Sequence, residues 1–63
     1  MLSIKTGGMF RYITRSNKKI IVIVLDFNEE TAYRCFVVTH GNPAWSGTIR
    51  YYDIDNREWE KLC

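Results

Sequence analysis

The stretch Ile20-Ile21-Val22-Ile23-Val24-Leu25 decides the fold class of this chain. Its first five residues are β-branched, and such side chains fit a pleated strand better than a helix. Six residues are far too few to cross a bilayer as a helix, which takes about 20. Successive strand side chains point to opposite faces, and here both faces are apolar. The stretch therefore predicts a central strand that needs cover on both sides.

Other segments rich in aromatic and β-branched residues lie on both sides of this strand, separated by polar turns. They predict an antiparallel meander of four to five strands, with strands at residues 9–14, 19–27, 32–39 and 48–52. Turns are expected at residues 15–18, 28–31 and 53–56, and the longest loop covers residues 40–47. The last stretch, 57–62, alternates like a strand. Asp55 and Glu58 have the spacing of a helix capping box, so a short C-terminal helical turn is the alternative.

The length of 63 residues allows one small, mostly β domain over residues 1–63. Residues 1–8 form either a flexible tail or an edge strand, because Gly7-Gly8 is a flexible break. A small meander protects its apolar strand best by curling into a barrel. The two hairpins, the longer loop and the short closing segment resemble an SH3-like barrel over residues 8–62. That resemblance implies a binding module for peptides, proteins or nucleic acid, and it brings no catalytic residue with it.

Catalysis and metal binding are disfavoured by the residues present. The chain has one histidine, His40, and two cysteines, Cys35 and Cys63. These three lack the paired spacing of a zinc site, which normally needs four ligands. Cys35 lies in the middle of a predicted strand, five residues before His40, so the two would point to opposite faces. We expect no enzymatic activity, no cofactor and no metal.

The N-terminal residues lack the apolar stretch of a signal peptide, and the two cysteines do not form a disulfide framework. We therefore expect an intracellular, cytoplasmic protein with no membrane association. Reading frames of this length are frequent in phages and mobile elements. On size alone we expect an origin of that kind, in the cytoplasm of a host cell, and a role as a regulator or inhibitor of a partner protein.

The loop at residues 40–47 predicts a protein-binding site. Tryptophan is enriched among the residues that dominate binding energy, and loops on a rigid scaffold often present such residues. The proposed partner-binding residues are His40, Asn42, Pro43 and Trp45. The alternative is that Trp45 folds back as a lid on one end of the barrel. The two-sided apolar character of the central strand also permits a homodimer across a sheet face or edge.

Charge is distributed unevenly along the chain and suggests a second function. Residues 1–25 contain five basic and no acidic residues, whereas residues 26–63 contain four basic and seven acidic ones. Cations interleaved with aromatic rings are typical of proteins that bind single-stranded nucleic acid. The alternative function is therefore nucleic-acid binding by a basic hairpin, with candidate residues Arg11, Tyr12, Arg15, Lys18, Lys19 and Arg50. Against it, the sequence pI of about 8.7 is below the value above 9 typical of dedicated nucleic-acid domains.

Overall fold

A computed structural model describes residues 4–27, 32–56 and 58–63 of the chain. Within them, five antiparallel strands form one sheet in the order β4-β3-β2-β1-β5. The strands are β1 (Met9–Ile13), β2 (Lys19–Phe27), β3 (Tyr33–Thr39), β4 (Ile49–Tyr52) and β5 (Glu60–Lys61). The predicted mostly β meander is confirmed, and its ambiguous last segment contains a strand. The turn predicted at residues 28–31 lies outside the described residues.

Two short 3-10 turns, Pro43–Trp45 and Ile54–Asn56, complete the described secondary structure. The second lies within the turn predicted at residues 53–56 and precedes β5, whereas the helical turn was the alternative for residues 57–62. β4 and β5 lie at opposite edges of the sheet, and the described residues show no pairing between them. The sheet is therefore open as described, and closure into a barrel is not confirmed. None of the described helical turns is long and apolar enough to cross a membrane.

The first hairpin is closed by a turn whose residues suit its geometry. The backbone N–H of Asn17 donates to the Thr14 carbonyl at 2.9 Å, and that of Thr14 donates to the Lys18 carbonyl at 2.9 Å. Asn17 has φ 65°, a left-handed conformation that asparagine tolerates better than most residues. The turn fixes the register in which Tyr12 pairs with Ile20 and Phe10 with Val22.

The core lies on one face of the sheet, which we call the inner face. Ile20, Val22 and Val24 of β2 are buried there, as the alternation predicts. Phe10, Cys35 and Val37 of the neighbouring strands pack with them. Ile54 and Trp59, both after β4 in the chain, are also buried in this cluster. The C-terminal segment thus covers the inner face.

The opposite face, which we call the outer face, differs from expectation. Ile21, Ile23 and Leu25 are only partly buried there. On β3 and β4, Phe36, Val38 and Ile49 are 38%, 41% and 54% exposed. The described residues therefore do not supply the second cover that the central strand was expected to have. The C-terminal segment provides one layer, and it lies on the inner face.

The glycine pair near the N-terminus was expected to be a flexible break, but it is bonded to β2. The N–H of Gly7 donates to the Val24 carbonyl at 2.8 Å, and the N–H of Val24 donates to the Gly8 carbonyl at 2.9 Å. Gly8 is buried, and a Cβ there would lie 3.0 Å from the Lys5 carbonyl oxygen. Glycine is needed here for close packing of the backbone.

Candidate binding site

A cavity of about 380 Å³ opens at one end of the inner face, between the β1–β2 turn and the β3–β4 loop. It contains residues from both predicted sites: His40 and Trp45 from the protein-binding set, and Tyr12 and Arg50 from the nucleic-acid set. The remaining lining residues are Thr14, Ile20, Tyr51, Tyr52, Asp53 and Trp59. Aromatic side chains dominate this lining. We call it the aromatic cavity.

Strand alternation directs the sheet residues into this cavity. Tyr12 pairs with Ile20, which is buried on the inner face. Arg50 pairs with Cys35, another inner-face residue, so Arg50 and Tyr52 belong to the same face of β4. The candidate nucleic-acid set contains Arg50 but not Tyr52. The alternation of β4 was the signal that would have grouped the two residues.

The β3–β4 loop is held in shape by its own polar groups. The Asn42 side-chain oxygen accepts a hydrogen bond from the Ala44 N–H at 3.1 Å, which caps the 3-10 turn that Pro43 begins. At the other end of the turn, the Thr48 hydroxyl donates to the Trp45 carbonyl at 2.6 Å. Asn42 and Pro43 do not line the cavity. Their effect is to position Trp45.

The Trp45 ring lies between a histidine and an arginine. The His40 ring centroid is 4.5 Å from that of Trp45, at an interplanar angle of 57°. The Arg50 guanidinium carbon is 4.1 Å from the Trp45 centroid, within the range of a cation–π interaction. Trp45 remains 37% exposed and does not belong to the buried core cluster. It packs against the rim of the cavity and not over the core.

His40 accepts a hydrogen bond that requires one neutral ring nitrogen. The backbone N–H of Asn42 donates to His40 Nδ1 at 2.9 Å, and the backbone N–H of His40 donates to the Ser46 hydroxyl oxygen at 3.1 Å. Partial burial lowers the pKa of His40 below its usual 6.5, and the positive charges of Arg50 and Lys18 lower it further. The imidazole is therefore neutral at pH 7, with Nδ1 as acceptor.

Lys18 connects the basic turn to the β3–β4 loop. A Cβ built on Gly41 would lie 2.5 Å from Cβ and Cδ of Lys18, so the lysine stem packs directly on the Gly41 backbone. Only glycine leaves room for this contact. As a result, the β1–β2 turn and the tryptophan loop lie side by side. The two surfaces predicted as alternatives share this border.

The base of the cavity consists of packed aromatic rings. The Trp59 centroid lies 5.3 Å from that of Tyr12 and 5.5 Å from that of Tyr52. Trp59 Nε1 and the Tyr52 hydroxyl are buried without a hydrogen-bond partner among the described residues. Burial raises the pKa of Tyr52, although the nearby Arg50 charge opposes this effect. The Tyr52 hydroxyl therefore keeps its proton at neutral pH.

The structure distributes the rest of the nucleic-acid set over other parts of the surface. Arg11 is on the outer side of β1 and forms an ion pair with Glu60. Lys19 is exposed at the start of β2, on the outer face because Ile20 is buried. Arg15 lines a second cavity of about 390 Å³ with Glu58 and Glu60. Lys18 and Arg50 are thus the two cations of the set near the aromatic cavity.

Cys35 is an inert core residue. Its side chain is fully buried, and its thiol donates to the Tyr33 carbonyl at 3.4 Å. Burial raises the pKa of Cys35 to about 11, so the thiol stays protonated at neutral pH. Among residues 4–27, 32–56 and 58–63, no three histidine, cysteine or acidic side chains are grouped so that they could hold a metal ion.

No protein-family model matches the chain, and neither a curated protein nor a solved structure gives a match.

Proposed function

We propose that this protein is a non-enzymatic binding module that captures a segment of a partner protein in the aromatic cavity. One observation supports this function above the others. The cavity combines the partly exposed Trp45, the packed rings of Tyr12, Tyr52 and Trp59, and the positive charge of Arg50. Apolar walls with a few converging polar groups are the usual chemistry of a binding pocket. Tryptophan, tyrosine and arginine are also the residues most enriched among interface hot spots.

The chemistry of the walls indicates what kind of segment would bind. Arg50 and Lys18 would attract a carboxylate at the rim. The aromatic walls would pack against an apolar side chain of the segment. We therefore propose a segment that carries an acidic residue beside an apolar one. A role as a regulator or inhibitor would follow if the occupied partner surface is one that the partner needs.

Single-stranded nucleic acid is the second candidate ligand, because Arg50 lies over the Trp45 ring and Lys18 packs against the same loop. Three observations weigh against it. Arg11 is already paired with Glu60, and Lys19 belongs to the opposite face of the sheet. The rings also pack against one another, which leaves less open ring surface for a base to stack on.

Affinity capture with matched charge variants would test the proposal. Tagged wild-type protein, Arg50→Glu and Lys61→Glu would be compared on nuclease-treated extract of the source cell. The two variants have the same net charge, but Lys61 lies on β5 and does not line the cavity. We expect a co-purifying protein with wild type and Lys61→Glu and its loss with Arg50→Glu. Equal capture by all three baits would contradict the proposal.

Nucleic-acid binding would be measured separately, by fluorescence anisotropy of labelled single strands at two salt concentrations. We expect weak retention that the Arg50→Glu and Lys61→Glu variants reduce equally. Affinity that falls steeply with salt and is lost only in Arg50→Glu would favour the second candidate.

The SH3-like resemblance belongs to this proposal as well. β5 pairs with β1, so the C-terminal segment returns to the first strand after a 3-10 turn, as the closing segment of such a barrel would. This supports the assignment to the broad class of small β binding modules. The function proposed above depends on the cavity and not on that assignment.

A further inference from the structure

We propose that the outer face of the sheet is a dimer interface, occupied by the same face of a second copy of this chain. The inference goes beyond the proposed function, because the outer face lies on the other side of the sheet from the aromatic cavity. Its central feature is a row of apolar side chains across four strands. The register pairs Ile23 with both Met9 and Phe36, and Phe36 with Ile49.

The face has an apolar centre and a charged rim. Ile21, Val38 and Leu25 extend the central row along the strands. On β1, Arg11 pairs with Glu60 at one side. At the end of β2, Arg34 donates two hydrogen bonds to Asp26, at 2.7 and 3.1 Å. An exposed apolar patch rimmed by polar residues is typical of a protein interface.

The charges along β2 indicate that the occupant is a second copy. Its outer positions are Lys19, Ile21, Ile23, Leu25 and Asp26, with a register irregularity between Val24 and Asp26. A two-fold axis that lies midway between the two faces, over Ile23 and perpendicular to the strands, would place β2 antiparallel to its copy across the interface. Lys19 of each copy then faces Asp26 of the other. The positive end of each β2 strand therefore lies against the negative end of the other. An isologous contact requires complementarity of this kind.

The remaining hydrogen-bonding capacity agrees with this arrangement. A carboxylate offers about four acceptor positions, and Arg34 takes two of those on Asp26. Lys19 has no ion-pair partner within the described parts of the chain. Lys19 lies four residues before Ile23, and Asp26 lies three residues after it. The two side chains are therefore offset by about one residue along the strands, a distance that the flexible lysine side chain can span. Each Lys19 would thus gain a partner on dimerisation.

The area of the outer face determines how tightly the dimer is expected to associate. Four strands about 4.8 Å apart and about five residues deep give a projected area of about 300 Å² per copy. Side-chain relief increases the accessible area, but the interface remains at the low end of specific protein contacts. We therefore expect a reversible dimer with a dissociation constant in the micromolar range, with the sheets about 10 Å apart.

Sedimentation equilibrium at concentrations from about 1 μM to 1 mM would measure the dimer. We expect wild type to change from monomer to dimer within this range and Ile23→Glu to remain monomeric throughout. Circular dichroism would establish that Ile23→Glu is folded. If it is not, Ile49→Glu serves instead, because Ile49 is 54% exposed at the end of the same row. Wild type that stays monomeric at 1 mM, or a folded row variant that dimerises as wild type does, would overturn the proposal.

Charge variants would test the axis. Lys19→Glu places like charges opposite each other twice, and we expect it to weaken the dimer by about tenfold or more. Lys61→Glu makes the same change in net charge away from the outer face and should leave the dimer unchanged. The triple variant Lys19→Glu/Asp26→Arg/Arg34→Asp also reverses the charges of the Asp26–Arg34 pair, and it should restore the affinity of the dimer. Equal weakening by Lys19→Glu and Lys61→Glu, or no restoration in the folded triple variant, would overturn the antiparallel arrangement.

Discussion

The guanidinium carbon of Arg50 lies 4.1 Å from the centroid of the Trp45 ring, which joins strand β4 to the loop that precedes it. His40 packs on the same tryptophan from the other end of that loop, with its ring centroid 4.5 Å away. The loop is therefore fixed to the sheet through side chains as well as through its backbone hydrogen bonds. This arrangement makes the rim of the cavity sensitive to single substitutions.

Removing the Arg50 guanidinium should loosen Trp45 without unfolding the domain. An exposed cation–π pair is worth about 0.5–1 kcal/mol, so we expect Arg50→Ala to lower the free energy of unfolding by about that amount. Trp45 is also expected to give more solvent-exposed fluorescence. Arg15→Ala, on the exposed β1–β2 turn, should change neither quantity. Urea unfolding and the emission spectrum would be measured together, and equal effects of the two variants would contradict the assignment.

Acidification should destabilise the protein through His40. The folded state lowers the pKa of His40 below 6.5, so between that lowered pKa and 6.5 the unfolded chain binds more protons. The free energy of unfolding should therefore fall as the pH falls through this window, and the contribution is fully present above 6.5. Since this is the single histidine of the chain, one NMR titration gives its pKa directly.

Two variants serve as controls for that titration. Arg50→Gln removes a neighbouring positive charge and should raise the pKa of His40. His40→Gln should flatten the dependence of stability on pH between 7.5 and 5.5. A His40 pKa above 6.5 in the wild-type protein would contradict the expected direction.

Gly41→Ala should destabilise the protein because the new methyl group meets the Lys18 stem at 2.5 Å. Overpacking of this kind typically costs about 1–3 kcal/mol. Lys18→Gly removes the stem, so the double variant should lose less stability than the two single losses combined. Gly47→Ala is the matched control: it is strained by φ +82° but has no atom within 4 Å of the new Cβ. Its cost should be the same with or without Lys18→Gly.

The sequence allowed a good prediction of the sheet and a partial one of the cavity lining, of which it named Tyr12, His40, Trp45 and Arg50. β-branched runs and turn residues indicate strands locally, which is why the bounds of β2 are those predicted. The sides of β3 could also be assigned, since Cys35 and Val37 are buried whereas Phe36 and Val38 are exposed. Such patterns depend on neighbours in the chain.

The cavity depends instead on contacts between distant segments. Trp59 meets Tyr12 across 47 positions of sequence, and no local pattern indicates such a pair. The packing of Lys18 on Gly41 is equally hard to predict from the sequence, because a glycine can occur in a loop for many different structural reasons. The prediction of cover on both faces assumed that apolar surface is always buried within one chain. Ile23 and Phe36 show that the described chain covers one face.

The two cysteines should differ sharply in reactivity. Cys63 is exposed, whereas Cys35 is fully buried with its pKa raised to about 11. A thiol reagent at pH 7.5 should label Cys63 rapidly and Cys35 only after unfolding. Since the ordinary pKa of the thiol is 9.0, the unfolded chain loses this proton first as the pH rises from 9 to 11. Stability should fall over that range, and less so in Cys35→Ala; rapid labelling of both cysteines in the folded protein would contradict the burial.

Two phenylalanines on opposite faces of the sheet should respond differently to truncation. Phe10 is fully buried on the inner face, so Phe10→Ala should lower the free energy of unfolding by about 3–5 kcal/mol, enough to unfold much of so small a domain.

Phe36 is 38% exposed on the outer face, and Phe36→Ala should cost about 1 kcal/mol or less in the monomer. Denaturant unfolding at a protein concentration of about 1 μM would compare Phe10→Ala with Phe36→Ala under conditions where the proposed dimer is dissociated. At about 1 mM, Phe36→Ala should cost more relative to wild type, because wild type gains stability from dimerisation that the variant partly loses. A cost for Phe36→Ala that is large at both concentrations would mean that this side chain is buried within a single chain, and that the outer face is not open.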